Sequence, residues 1–164
     1  MGHAQAGLVL TRRIQRDRKG GYRLRLPPEE RELLRSLPAQ LREVMQTDDP
    51  SLRRLFPPAY PDDSEADDEF RRLMLEELLE GKLAALRIVE ETANADHLNS
   101  EQLESWLGAL ESLRLYLGTQ LDITEEVYTG GIDPDDPDAP ALALYGYLSW
   151  LQEEVVAALS SSLP

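Results

Sequence analysis

The side chains with reactive potential are few and scattered. His97 stands beside Asp96, a pairing that would make an imidazole a general base if the carboxylate oriented it. The pair lies in the break "ANADHLNS", and Ser100, Ser105 and Ser112 lack the strand–turn–helix setting of an activated serine, so a surface role for His97 is the favoured reading. Glu76, Glu77 and Glu80 share a helical stretch, but no Glu-x-x-His accompanies them, and a di-iron carboxylate bundle is unsupported. Asp133, Asp135, Asp136 and Asp138 in "DPDDPD" offer oxygen ligands for Ca²⁺ or Mg²⁺. Prolines interrupt their spacing, and the calcium loop's glycine and distant glutamate are missing, so a solvated loop fits better. The absence of cysteine removes thiol catalysis, disulfides and thiolate zinc sites. The chain is therefore read as a non-enzyme, with no catalytic, cofactor or metal residues expected.

What remains is recognition chemistry. Net charge is −14, which opposes non-specific binding to nucleic acid. The charge is divided unevenly. Residues 1–26 carry Arg12, Arg13, Arg16, Arg18, Lys19, Arg23 and Arg25 against the single acid Asp17, a segment of +6 joined to a body of −20. Such a segment is either an interaction arm or a piece that lies on the protein's own acidic surface, and the second reading is favoured. In "RRLFPPAYPDD", three prolines stiffen the path while Phe56 and Tyr60 are placed to plug apolar gaps; a rigid connector is favoured over an exposed epitope. Trp150 falls off the apolar stripe of the last helix, where it packs on the N-terminal arm or anchors a partner. Arg114, set among leucines, is expected to form an internal salt bridge with Glu111, Asp122 or acids of the long helix.

The elements that must position these groups follow from periodicity. Residues 7–26 read as a β-hairpin, because Tyr22, Leu24 and Leu26 alternate with Arg23 and Arg25, and Gly20–Gly21 supplies the turn. A two-stranded ribbon is marginal alone, so its apolar face must rest on something larger. Pro27–Pro28 opens a helix carrying Leu33, Leu34, Leu37, Leu41, Val44 and Met45; Pro38 within it predicts a kink or two short helices. The longest helix begins near Asp62–Ser64 and runs to about Thr92, apolar on more than one side and therefore expected at the centre. Gly81 in its middle suggests close approach of another backbone. Asn99 and Gln102 form the pattern of a capping box for a third helix bearing Leu103, Trp106, Leu107, Leu110, Leu113 and Leu117. "TGGIDPDDPDAP" is a loop, and Pro140 opens a last helix with Leu144, Tyr145, Leu148, Leu151, Val155 and Leu159.

The expected fold is mainly α: one domain over 1–164, with a hairpin at 7–26 packed on a helical body of about four main helices at 27–160. No stretch reaches the roughly 18 apolar residues of a membrane span. "MGHAQAGLVLTRR" lacks a charged leader, so the expectation is a cytoplasmic protein away from membranes.

The stretches "GGYRLRL", "RRLFPPAYPDD…EFRRL", "WLGALESLRLYLGTQLDITEE" and "YGYLSWLQEEVVAAL" together resemble an uncharacterised actinobacterial family, Domain of Unknown Function two-thousand-and-seventeen, from roughly Leu8 to Leu159. Gly118, Leu121, Asp122 and Glu125 lie in its most recognisable run. The resemblance implies genomic proximity to ClpS, an adaptor that delivers substrates to a Clp protease, and for some members a role in transcription. It implies no catalytic residues. The combined expectation is a protein-interaction or regulatory module linked to Clp function, with Arg12, Arg13, Arg16, Arg23, Arg25, Phe56, Tyr60 and Trp150 as candidate contact residues. A nucleic-acid-associated regulator using the basic hairpin, and an unrecognised hydrolase or ligand-binding bundle, are the alternatives. Homodimerisation through the long helix's surplus apolar face stays open.

Overall fold

The computed structural model describes residues 12–47, 64–121 and 135–161, apart from the side chains at 64, 67, 70–73, 75 and 76. Alternation at the N-terminus produces strands β1 (Ile14–Arg16) and β2 (Tyr22–Leu24), antiparallel with Ile14 opposite Leu24 and Arg16 opposite Tyr22. Gly20 closes the turn at φ 93°, a backbone region that costs glycine little. The ribbon does not stay two-stranded. His97–Leu98, inside the stretch that reads in sequence only as a break, forms β3 and pairs antiparallel with β2. Two residues are too short for alternation to reveal a strand, and it is the neighbour β2 that creates it. Ile14, Tyr22 and Leu24 are buried on one face, which rests on the helices.

Helix α1 (Pro28–Val44) starts with proline in its first turn and acids Glu29 and Glu30 at its positive end. Pro38 does not divide it. The proline ring is itself buried with Leu34 and Leu41, so apolar burial compensates for the hydrogen bond that proline cannot donate. Helix α2 (Ser64–Thr92) ends with Leu86 and Val89 fully buried. Helix α3 (Ser100–Gln120) begins on the capping box: Gln102 donates its backbone N–H to Asn99 Oδ1 at 2.8 Å, and Asn99 donates its own to Gln102 Oε1 at 2.9 Å. It continues through Gly118. Helix α4 (Ala139–Ser160) follows a turn in which Asp136 Oδ1 accepts the backbone N–H of Asp138 at 2.8 Å.

The central helix is α3, not the longest one. It packs along both α2 and α4 and touches α1. Helix α2 packs on α1 and α3, and its N-terminal half leaves Met74 and Leu78 exposed. Its surplus of leucines therefore marks length rather than centrality. Gly81 is exposed, and among the described residues nothing lies within 4 Å of where a Cβ would stand, so none of them makes the close backbone approach expected there. Trp106 sits at the middle of the core, and its indole N–H donates to Thr92 Oγ1 at 2.7 Å. The Thr92 hydroxyl in turn donates to the Ile88 carbonyl at 2.6 Å, so both buried polar groups are satisfied.

Candidate interaction surface

The N-terminal arm is fastened to the helical body by its first arginines. Arg13 lies half-buried across Glu30 of α1, donating from Nε and Nη2 at 3.0–3.3 Å, and its backbone N–H donates to Glu154 of α4 at 3.0 Å. The same Glu30 accepts the Tyr147 hydroxyl of α4 at 2.7 Å. The Arg13 guanidinium also stands 5.3 Å from the centre of the Trp150 ring, within cation–π range. Arg13 is held above its ordinary pKa, chiefly by the Glu30 hydrogen bond. Tyr147 is pushed above the tyrosine range, first by burial and then by the Glu30 carboxylate. Arg12 adds a loose 4.0 Å pair with Glu154, and Arg16 donates to the Ser161 carbonyl beyond the end of α4.

Arg31 completes the fastening. It stands in the first turn of α1, a position the helix dipole disfavours for a cation. Its guanidinium donates to the carbonyls of Leu24 at the end of β2, of Leu26 just beyond it, and of Ala93 and Ala95 after α2, at 2.8–3.3 Å. One side chain thus joins the sheet, α1 and the end of α2. That misplaced charge is the sequence signal that could have found it.

The sheet's other face is different. Arg23 and Arg25 are exposed, and among the described residues neither makes an ion pair or side-chain hydrogen bond. They share this face with Gln15 and with His97, which stands opposite Arg23. The His97 Nε2 lies 3.5 Å from Asp17, not against Asp96, whose carboxylate turns toward Arg31 at 3.6 Å. Ser112 is buried among core side chains. Phe56 and Tyr60 lie outside the described residues, as does Asp133.

Arg114 forms no salt bridge with Glu111 or any other described acid; Asp122, the other named candidate, lies outside the described residues. The Arg114 Nε is buried without a hydrogen-bond partner. The Oγ of Ser149 and the Oε1 of Gln152 are in the same condition. All three residues line one hollow of about 390 Å³ between α3 and α4, together with Glu153 and Val156. Ser149, Gln152, Glu153 and Val156 recur at helical spacing, a second stripe beside the leucines of α4. A second hollow, of about 270 Å³, is apolar and lies among Leu37, Leu41, Leu113, Leu117, Leu144 and Leu148. Among the described residues no three His, Cys, Asp or Glu side chains gather into a metal-binding group, and no helix is long and apolar enough to cross a membrane.

A family model described as a domain of unknown function, DUF2017, covers residues 11–159. No curated protein matches the chain, and no solved structure matches it.

Proposed function

The chain belongs to the DUF2017 family, and from that premise we propose that it is a non-enzymatic protein-interaction module that meets an acidic segment of a partner protein with the outer face of its three-stranded sheet. The observation that carries this reading is the division of the arm's arginines. Arg13 is engaged by Glu30 and Trp150, whereas Arg23 on β2 and Arg25 just past its end point outward and, among the described residues, meet no acid. A strand held between two others and fastened to helices presents such a pair rigidly, which lowers the entropic cost of docking. The ClpS adaptor, which the sequence resemblance implies as a genomic neighbour, is the first partner we would try, with a regulatory role in protein turnover.

The test is a photo-crosslinking residue at position 15, exposed on the same face opposite Arg23, irradiated in the cells that make the protein. The reading predicts a discrete protein adduct that disappears when Arg25→Glu is added and weakens as salt rises. A nuclease-sensitive adduct would favour the alternative of a nucleic-acid-associated regulator, whose affinity should fall steeply with salt. No adduct at low salt would contradict both.

A further inference from the structure

We propose that the hollow between α3 and α4 binds a small zwitterion of the α-amino-acid class, with its carboxylate on Arg114 and its ammonium group on Gln152 and Glu153. The site is distinct from the sheet face and does not depend on it. Three of the residues that line the hollow each hold a buried polar atom without a hydrogen-bond partner: Arg114 Nε, Ser149 Oγ and Gln152 Oε1. Leaving a buried polar group unmet is costly, and three residues bordering one hollow each carry such a group, which an occupant could meet once the side chains turn to it. The volume, about 390 Å³, is at the small end of ligand pockets.

The charges choose the ligand. Arg114 offers only donors and Gln152 Oε1 only accepts. Glu153 lies on the same hollow and makes no ion pair among the described residues. A simple anion would meet Arg114 but be repelled by Glu153, and a simple cation would face the reverse. A molecule carrying both charges a few bonds apart satisfies each, with the Ser149 hydroxyl free to donate to the carboxylate. Val156, 45% exposed at the edge, supplies an apolar wall for a short aliphatic side chain. Arg114 and Gln152 end on flexible stems, so their head groups can turn to a ligand by a change of rotamer.

The experiment is an NMR titration of the ¹⁵N-labelled full chain with glycine, L-alanine, L-valine and L-leucine. Isovalerate and isobutylamine, the two halves of valine, serve as controls. The expected result is a saturable shift confined to α4 residues 149–156 and the facing turn of α3, at least about tenfold weaker for either half-molecule. Arg114→Gln should weaken binding by a similar factor and Glu153→Gln by less, with Ser149→Ala as an independent variant and circular dichroism confirming the fold of each. The proposal is overturned if none of the four amino acids gives a saturable shift at about 10 mM, if isovalerate binds as well as valine, or if Arg114→Gln binds unchanged. It is also overturned if the α4 shifts follow protein concentration in step with a dimer seen by sedimentation, which would make a second copy the occupant.

Discussion

Arg31 and Arg114 are both half-buried arginines on helices, and the regions around them are built on opposite terms. At the junction of sheet and helices, Arg31 reaches four carbonyls and Arg13 reaches Glu30, which also takes the Tyr147 hydroxyl. The guanidinium and hydroxyl groups there are used. In the hollow between α3 and α4, Arg114, Ser149 and Gln152 each leave an atom unmet. Stability is therefore to be sought at the junction and binding at the hollow. Satisfied polar networks fix a unique geometry, while unsatisfied ones cost the folded chain and are retained where something else completes them.

The contrast can be broken most forcefully at Arg31. Arg31→Met should leave the carbonyls of Leu24, Leu26, Ala93 and Ala95 short of their donor and cost about 3 kcal/mol or more in guanidinium unfolding. A loss near zero would mean that the junction is not held by this side chain. Glu30→Ala should cost roughly 2 kcal/mol, because it strands both the Arg13 guanidinium and the Tyr147 hydroxyl. Tyr147→Phe is milder, about 1 kcal/mol at neutral pH, and sharpens the picture through pH. The tyrosine is neutral in the fold and its pKa is raised. Its contribution is therefore complete below the unfolded tyrosine's value of about 10, and it falls away as pH climbs above that. Wild-type stability should drop more steeply than that of Tyr147→Phe in the alkaline range, as read by unfolding at matched pH values. The smallest effect is expected on the outer face, where Arg23→Glu with Arg25→Glu should change stability by less than about 0.5 kcal/mol while abolishing the cross-linked adduct.

The four helices and the basic arm are legible in the sequence because each is written as a long local pattern. The leucine stripe of α1, the Asn99–Gln102 capping box and the Tyr22–Leu24 alternation need no knowledge of neighbours. What stayed hidden depends on partners distant in the chain. Strand β3 exists because β2 lies beside it. Pro38 is carried inside α1 because its ring is buried. The centrality of α3 over the longer α2 is a matter of packing that hydrophobic content alone misjudges. Of the candidate contact residues, Arg13 and Trp150 are brought together within the chain, Arg23 and Arg25 face outward, and Phe56 and Tyr60 fall outside the described residues. Arg114 was conspicuous among its leucines, but a single sequence shows only that a charge is misplaced. It does not show that Ser149 and Gln152, some thirty-five residues on, share its hollow.

The contrast between a satisfied junction and an unsatisfied hollow is tested most directly by setting Arg31→Met beside Arg114→Met in one equilibrium unfolding experiment. The account predicts a loss of about 3 kcal/mol for the first and no loss, or a gain, for the second, since methionine removes an unpaired polar group while keeping the apolar stem. An equal loss at both positions would contradict it.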